Sequence, residues 1–203
     1  MKIVLLVIGI IAVIFIVFQI YTSMATGKSE TQLYKVIKVE KDFEIRYYPA
    51  TTMAVITSSA KTYKELGRSG FSTLAGYIFG GNKEKKQIAM TSPVHMEISD
   101  TISSMSFVMP SQYTKANLPQ PNNTEVTIKT APAEYVAAIT FSGFASQEAI
   151  QKHTVLLEKA LKEKHLSYHG HFRYFGYNPP YQLFGRRNEI IVALDENQVN
   201  QIR

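Results

Sequence analysis

A repeated segment limits the fold of this chain more than any other feature of its sequence. Residues 45–57 read IRYYPATTMAVIT and residues 128–140 read IKTAPAEYVAAIT, and the two align without a gap with identical residues at 6 of 13 positions. Each copy reads as two short strands separated by a proline, followed by an amphipathic helix and further strands. Because one such unit cannot bury its own apolar face, we expect the two copies to pair around a common core.

The repeat predicts an α+β fold built from two β-α-β-β halves, at about residues 33–100 and 101–195. We expect the halves to be related by a pseudo-two-fold axis and to form one antiparallel sheet or open barrel with two external helices. Alternation and turn residues predict strands at Leu33–Val39, Phe43–Tyr47, Met53–Thr57, Ile88–Thr91, Met105–Met109, Tyr168–Gly176 and Glu189–Leu194, helices at Tyr63–Phe79 and Ser146–His165, and a frayed tail at Gln198–Arg203.

The N-terminal segment is apolar on every face and carries no charge from Ile3 to Gly27. Its first part, Ile3–Ile20, is 18 residues made almost entirely of Ile, Val, Leu and Phe. As a helix this part would span about 27 Å at roughly 1.5 Å per residue, which is close to the thickness of a bilayer's hydrocarbon core. We therefore predict a transmembrane anchor at residues 1–27, followed by a folded domain at residues 28–203.

A cleaved signal peptide is the alternative for this segment, because Ser23 and Ala25 are small residues of the kind found before a cleavage site. The orientation of an anchor is set by its flanking charges. Lys2 and the amino terminus lie on one side, and several lysines follow on the other, at Lys28, Lys35, Lys38 and Lys41. Since long domains translocate largely regardless of charge, we predict a single-pass protein with a short cytoplasmic tail and an extracytoplasmic domain.

Composition removes several classes of function. The chain has no cysteine, which excludes disulfides, thiolate catalysis and cysteine metal sites. The formal net charge is +6, which favours anionic ligands, but the basic residues are scattered and do not indicate nucleic-acid binding. The sequence contains no nucleophile elbow, P-loop or dinucleotide fingerprint. These features exclude thiol-dependent enzymes and leave no recognised hydrolase or nucleotide-binding motif in the sequence.

The segment 71–94, FSTLAGYIFGGNKEKKQIAMTSPV, carries the most specific local pattern. Its apolar residues Phe71, Leu74, Tyr77 and Ile78 recur at helical spacing, so one face of this helix must be covered. The glycines and the asparagine that follow tolerate the left-handed backbone of a helix end. A charged turn then leads to the predicted strand Ile88–Thr91, and Pro93 is expected where that strand breaks.

These residues resemble the signature of the SOUL haem-binding protein family. The resemblance extends over roughly residues 33–195, and several separate motifs occur in the right order. The matching residues are Phe71, Leu74, Tyr77, Ile78, Gly80, Asn82, Met90, Thr91, Pro93 and Val94, followed by Phe107–Pro110, Phe141–Gly143, Tyr177–Pro180 and Arg186–Glu189.

The resemblance implies a haem or related tetrapyrrole in a shallow apolar groove beside the first helix of the domain, closed by the loop before the last strand. Metal-free porphyrin is expected to bind nearly as well. A porphyrin needs an apolar slot for its plane and cations at the rim for its propionates. The candidate binding residues are Tyr47, Arg68, Phe71, Leu74, Ala75, Tyr177, Tyr181 and Phe184.

Several of these residues have a structural alternative. Phe71 and Leu74 also fit the core face of the helix, and Tyr47 fits an aromatic that fills one face of the sheet. One family branch carries a histidine proposed as an axial ligand after its Glu-Ile-Arg motif, where this chain has Tyr47, and tyrosine can ligate ferric haem. Gln182 stands where a lysine is expected to face a propionate. Arg186 and Arg187 fit an ion pair with Glu189 or Asp195 as well as a propionate contact.

No metal site is predicted. His165, His169 and His171 are the nearest approach to a cluster, and the sequence favours solvated histidines in a helix-to-strand loop. His153 is interpreted as a core histidine with one hydrogen-bonded nitrogen. The methionines fall mostly on predicted strands, where core filling is the default interpretation.

The residues and the family resemblance together predict a membrane-tethered, monomeric and non-catalytic tetrapyrrole-binding domain that buffers or transfers its ligand. Two alternatives stay open at this point. One is a general effector-binding module for small amphipathic molecules, because duplicated β-α-β-β folds also accommodate such ligands. The other is an enzyme acting on tetrapyrroles, although no paired acid and base is evident.

Overall fold

A computed structural model of the protein describes residues 2–202, with only the backbone described for Ile202. This part of the chain forms four helices and nine strands. They are α1 (Lys2–Lys28), β1 (Lys35–Val39), β2 (Glu44–Tyr48), β3 (Thr51–Ser58), α2 (Tyr63–Ile78), β4 (Val94–Glu97), β5 (Ser103–Val108), β6 (Thr127–Ala131), β7 (Glu134–Ser142), α3 (Gln147–Glu163), β8 (Tyr168–Gly176), β9 (Arg187–Leu194) and α4 (Glu196–Ile202).

All nine of these strands belong to one curled antiparallel sheet with the order β1-β2-β7-β9-β8-β4-β5-β3-β6. Without β1, the order reads the same from both ends when β2 is exchanged with β6, β3 with β7, β4 with β8 and β5 with β9. The first strand of each half therefore pairs with the other half, as β2 does with β7 and β6 with β3. This arrangement agrees with the predicted symmetry, and a duplication as its origin stays a prediction.

The two domain helices cover one face of the sheet, with α2 over β3, β4 and β5 and α3 over β7, β8 and β9. Each helix starts at a side chain that accepts a backbone N–H, Thr62 for α2 and Ser146 for α3, which satisfies one of the free donors of the first turn. The helices bury apolar side chains at helical spacing. These are Leu66, Leu74, Tyr77 and Ile78 on α2, and Ile150, Leu157 and Leu161 on α3, all within the main core.

The opposite face of the sheet carries no helix among the described residues, but it holds a second, smaller core. Its members alternate with main-core residues along the strands, as expected when successive side chains point to opposite faces. They are Tyr48, Val136, Ala138, Phe175, Tyr177 and Ile191, with Tyr34 packed against them. The segment between α1 and β1 lies against this face, because Gln32 N–H donates to the Ser92 carbonyl (2.8 Å) and Ser92 N–H donates to the Glu30 carbonyl (2.9 Å).

The predicted α+β class, the antiparallel sheet and the two helices that pack on it are confirmed. Two local predictions are wrong. Ile88–Thr91 is not a regular strand. The segment is held by side chains instead, since Ile88 is buried and the Thr91 hydroxyl donates to the Val108 carbonyl (2.6 Å). The strand instead begins at Val94, just after Pro93, whose nitrogen has no hydrogen to donate to a sheet neighbour.

The second wrong prediction is the frayed tail at Gln198–Arg203. The part within the described residues belongs to helix α4, and Arg203 lies outside them. Val199 is fully buried in the main core, and the Asp195 carboxylate accepts the Asn197 N–H at 2.9 Å. Burial of one valine is enough to stabilise a short terminal helix that the sequence by itself does not favour.

Helix α1 is long and apolar enough to span a membrane, and nearly all of its side chains are exposed. Two polar residues near its C-terminal end, Gln19 and Thr22, are the buried members of the helix. The predicted anchor thus coincides with one continuous helix, whose location in a membrane is taken up under the proposed function.

Candidate functional site

Three predicted binding residues lie on one strip of α2. Arg68, Phe71 and Ala75 follow one another at spacings of three and four, so they share one side of the helix, and we call this strip the α2 ledge. Phe71 is 41% exposed and its ring meets the edge of the Phe107 ring, with centroids 5.3 Å apart. Arg68 is exposed, and no carboxylate of residues 2–202 forms an ion pair with it. The ledge therefore presents an uncovered aromatic surface beside a free cation.

Leu74 lies three residues after Phe71, about 60° from it around the helix, and is fully buried in the main core. The core-face alternative is therefore confirmed for Leu74. Phe71 lies at the border between core and solvent, about 60° from Leu74 around the helix. Its ring is therefore only partly covered. Leu74 supports the ledge from below and does not line it.

The β8–β9 loop (residues 177–186) was predicted to close the groove. Tyr177, at its start, belongs to the small core on the helix-free face of the sheet, so it lies across the sheet from α2. Tyr181 and Phe184 are 56% and 70% exposed. The structure does not bring these three residues together with the ledge.

Tyr47 lies on β2, separated from the strands beneath α2 by β7, β9 and β8. Its ring packs on Tyr135 of β7, with centroids 5.1 Å apart. The structure thus places Tyr47 and Arg68 in different parts of the domain. Ligation of iron by Tyr47 stays a prediction, and the separation of Tyr47 from Arg68 gives it no support.

Internal hydrogen bonds hold the β8–β9 loop in shape. Arg186 Nη1 donates to the carbonyls of Pro179 (2.7 Å) and Gln182 (2.8 Å), and among residues 2–202 Arg186 has no carboxylate partner. An ion pair with Glu189 is therefore confirmed for Arg187, at 2.6 Å, but not for Arg186. Gln182 is buried, donating to the Phe184 carbonyl (2.9 Å) and accepting from the Thr26 hydroxyl of α1 (2.9 Å).

A buried charge cluster on the helix-free face was not predicted in full. The Glu189 carboxylate is completely buried, and it accepts from Arg46 Nη1 at 2.9 Å and from the Tyr177 hydroxyl at 2.8 Å. Arg187 Nε and the Thr140 hydroxyl donate to its other oxygen at 3.0 and 3.1 Å. One carboxylate is therefore shared by two guanidinium groups and two hydroxyls.

The ionisation of this cluster follows from its burial and its pairing. Burial raises the pKa of the Glu189 carboxyl, but the hydrogen bond and charge of Arg46 and the charge of Arg187 outweigh burial and hold the pKa below the ordinary 4.5. Burial together with the Glu189 charge raises the pKa of Tyr48 to about 12. Glu189 is therefore ionised and already neutralised at neutral pH, which leaves it no free charge for a cationic ligand.

His95 is the second buried polar group that sequence reasoning missed. Its ring stacks on Phe175 with centroids 3.7 Å apart, and its Nε2 lies 2.8 Å from Gln32 Oε1. Burial, and to a smaller extent the charge of Arg173, lowers the pKa of His95 well below 6.5, so the ring is neutral in the folded protein. The alternation Val94-His95-Met96 places His95 on the face opposite Met96, but gives no sign that it is covered.

Two of the other histidines, His169 and His171, lie on strand β8 and not in the predicted helix-to-strand loop. His165, His169 and His171 are exposed. His153 is half-buried, stacks on Phe141 at 4.0 Å between centroids and bonds to the Ala149 carbonyl through Nδ1 (2.7 Å). In the described part of the chain, no three His, Asp or Glu side chains come together as metal ligands.

One cavity lies close to α2, on the side away from the ledge. It has a volume of about 90 Å³ and is lined by residues of β3 and α2 together with Glu125. Since one water molecule occupies about 30 Å³ in the liquid, this cavity holds a few waters and not a macrocycle.

The sequence of the chain is similar to that of a known protein family over most of its length. A sequence model described as "SOUL heme-binding protein" matches residues 29–193. This chain belongs to the SOUL family. Among curated relatives, heme-binding protein 1 of Xenopus laevis is 30% identical over 183 residues, which cover 85% of this chain and 95% of the relative. Heme-binding protein 2 of Mus musculus is 29% identical over 157 residues, covering 73% and 76%.

Solved structures with the same fold are much more distant in sequence from this SOUL chain. The EcmrR C-terminal domain matches with a TM-score of 0.60 at 8% identity, over 80% of this chain and 98% of that one. A hydrolase from Listeria innocua matches with a TM-score of 0.54 at 8% identity, over 78% and 94%. At such identity these similarities establish the fold and carry no information about activity.

Proposed function

We propose that this SOUL protein is a membrane-tethered, non-catalytic protein that binds haem or a related tetrapyrrole on the α2 ledge and buffers or transfers it. Family membership and the names of the relatives support a tetrapyrrole ligand. The observation that carries the assignment to the ledge is the Phe71 ring, 41% exposed on a well-packed helix beside the unpaired Arg68.

The chemistry of the ledge suits one face of a porphyrin. Phe71 and Ala75 offer a flat apolar surface, and burying apolar area contributes roughly 25 cal/mol per Å². Arg68 lies one turn from Phe71 and can donate charge-assisted hydrogen bonds to a propionate. No candidate axial ligand lies on the ledge, so the apolar plane would supply most of the affinity. Metal-free porphyrin should for that reason bind nearly as well as haem.

The membrane tether rests on α1. Its length and apolar composition suit a bilayer, and we propose a single-pass anchor with the SOUL domain outside the cytoplasm and monomeric. Haem is itself a planar, largely apolar molecule, so a domain held at a membrane surface is suited to receive or release it there.

The alternative of a general effector-binding module finds less support. A module for amphipathic cations needs an accessible carboxylate next to aromatic rings. Glu189 has aromatic neighbours, but two arginines already neutralise it. Catalysis likewise lacks a paired general acid and base on the ledge, where Arg68 is the ionisable member.

The test is a spectroscopic titration of haem, followed at the Soret band, with the full chain in mild detergent and empty micelles as the blank. Phe71→Ala should weaken binding roughly tenfold, the equivalent of about 1.4 kcal/mol. Arg68→Ala should weaken it less, by a factor of about five. Leu156→Ala is the matched control, because Leu156 is an apolar residue that is 42% exposed, like Phe71, but lies on the other domain helix, α3.

Two results would contradict the proposal. One is the absence of any spectral change beyond that of empty micelles at tens of micromolar haem. The other is equal weakening by Phe71→Ala and Leu156→Ala, which would move the ligand away from the ledge. Phe184→Ala extends the test to the β8–β9 loop, and a loss as large as that of Phe71→Ala would bring this loop into the site.

A further inference from the structure

The exposed apolar residues of the domain include a patch next to α1. Tyr181, Leu183 and Phe184 of the β8–β9 loop are 56%, 38% and 70% exposed, and Phe144, in the turn before α3, is 55% exposed. The Arg186 guanidinium of the loop lies over the Phe144 ring at 4.8 Å, which joins the turn to the loop. We call these four side chains the loop patch. A cluster of exposed aromatic and aliphatic residues marks an interaction surface.

Contacts with α1 fix the position of the patch. Gln19 Nε2 donates to the Tyr181 carbonyl (3.1 Å), and its Oε1 accepts the Leu183 N–H (2.9 Å). The Thr26 hydroxyl donates to Gln182 Oε1 (2.9 Å), and Phe18 packs on Tyr181 with ring centroids 6.0 Å apart. The loop is thus attached along the C-terminal third of the apolar helix.

The sequence of α1 indicates the depth of that attachment in a bilayer. The 16 residues from Ile3 to Phe18 contain no polar side chain, and as a helix they span about 24 Å at roughly 1.5 Å per residue. A hydrocarbon core is about 30 Å thick, so Gln19 lies near the boundary where α1 leaves it. A polar side chain at this depth requires a partner, and the backbone of the loop provides two hydrogen bonds.

From these observations we infer that the loop patch is a lipid-contact surface, by which the domain rests on the membrane beside its own anchor. The occupant is the interfacial region of the bilayer, where amphipathic tyrosine rings are enriched. Phe184 and Leu183 reach the acyl-chain boundary, and the net charge of +6 favours anionic headgroups. This inference rests on the membrane anchoring of α1 proposed above and assigns Tyr181 and Phe184 to lipid instead of haem.

The chain contains no tryptophan, so a single introduced tryptophan reports on one position. We would prepare Phe184→Trp in the full chain, reconstituted in vesicles of equal parts phosphatidylcholine and phosphatidylglycerol. The matched control is Ile102→Trp, because Ile102 is 62% exposed and lies far from the loop. Strand β4 starts beside the loop, where Val94 pairs with Gly176, and runs away from it. Ile102 follows the far end of this strand. Lipids brominated near the headgroup or at the chain ends serve as quenchers.

The expected result is that Phe184→Trp emits at shorter wavelength than Ile102→Trp and loses most of its emission to the shallow bromines, while Ile102→Trp is unaffected. Replacing Gln19 by Leu in the Phe184→Trp protein should reduce this quenching, because it removes both hydrogen bonds to the loop. Circular dichroism verifies that each variant is folded. Equal emission and no quenching of the two tryptophans would overturn the inference, as would strongest quenching by bromines at the bilayer centre.

Flotation of the same vesicles separates this inference from the proposed function. Protein that fails to float with lipid would overturn both the anchoring and the loop contact. Protein that floats without quenching of Phe184→Trp would overturn the loop contact alone. Quenching of Phe184→Trp in a protein that gives no haem titration would support the loop contact and contradict the haem assignment.

Discussion

Replacing Glu189 by Gln tests whether the charge cluster on the helix-free face is as buried as the structure indicates. Glu189 is 0% exposed and its main partner Arg46 is 2% exposed. Gln keeps the shape of the side chain and one acceptor oxygen, so the variant changes the charge with little change in volume. What it leaves behind is a buried, always protonated arginine whose remaining carboxylate partner is the partly exposed Glu44, 2.7 Å from its Nε.

The cost of Glu189→Gln follows from that burial. Breaking a buried ion pair by removing one partner costs about 3–5 kcal/mol, and here Arg46 loses its only fully buried carboxylate partner among the described residues. In a protein of this size each kcal/mol lowers the melting temperature by about 2–4 °C, so we expect a decrease of roughly 6–20 °C. Glu163→Gln is the matched control. The pair of Lys159 and Glu163 is exposed at 72% and 64%, with 3.8 Å between charged atoms, and its loss should cost about 0–0.5 kcal/mol.

The assay is unfolding by heat or urea of the full chain in mild detergent, followed by circular dichroism. Adding Arg46→Met to Glu189→Gln removes the stranded charge, so the double variant should be more stable than the sum of the two single losses predicts. A loss below about 1 kcal/mol for Glu189→Gln, or one equal to that of Glu163→Gln, would show that Glu44 alone is enough to compensate Arg46 and would refute a stabilising buried pair of Arg46 and Glu189.

The pH dependence gives an independent check on the same residue. The folded-state pKa of Glu189 lies below its ordinary 4.5. Its ionisation therefore stabilises the fold fully above that value, and the stabilisation is lost as the pH falls through the lower folded-state pKa. The difference in the free energy of unfolding between wild type and Glu189→Gln should accordingly shrink below pH 4.5. A difference that stays constant on acidification would contradict the assigned charge state.

Two further predictions concern buried positions. The pKa of His95 lies well below 6.5. The stabilisation from its neutral ring is therefore present above pH 6.5 and falls as the solution is acidified from there towards the folded-state pKa. NMR at pH 6 should still show a neutral His95 ring, and a normal titration would contradict its burial against Gln32. In α2, a Cβ at Gly70 would lie 2.9 Å from Ile56 Cδ1, whereas one at Gly67 meets its nearest atom at 3.7 Å. Gly70→Ala should therefore destabilise the fold by about 1–3 kcal/mol through crowding, while Gly67→Ala should stabilise it by about 0.5–1 kcal/mol. Changes in melting temperature of the same sign in the two variants would refute this packing.

Much of the fold could be predicted from short-range patterns. The spacing of Leu74, Tyr77 and Ile78 predicts α2, and Ser146 predicts the start of α3, because periodicity and capping depend only on neighbours in sequence. The repeated segments at 45–57 and 128–140 each predict two successive strands, which the structure contains as β2 and β3 and as β6 and β7, although each of these strands pairs with the other copy and not within its own. Ile88–Thr91 was wrong for the converse reason, since the Thr91 hydroxyl bonds to a carbonyl on a distant strand, which no local pattern encodes.

The candidate site could be predicted less completely. The sequence leaves Phe71 open between the core face of the helix and a binding surface, because the fraction of the ring left exposed depends on how α2 sits over Phe107. It also groups Tyr177 with Tyr181 and Phe184 because they share one loop. Tyr177 turns to the opposite face of the sheet, where its hydroxyl finds the Glu189 carboxylate, since a buried tyrosine hydroxyl needs a hydrogen-bond partner.

The sequence by itself determined the family, the α+β class, the helix starts and the apolar character of α1, because composition and period are properties of contiguous residues. Only the tertiary structure decided that Arg46 neutralises Glu189, 143 positions away, and that Gln19 holds the loop at Leu183, 164 positions away. Such partners are selected by the register and curvature of the whole sheet, which bring distant polar groups together wherever burial makes an unpaired one costly.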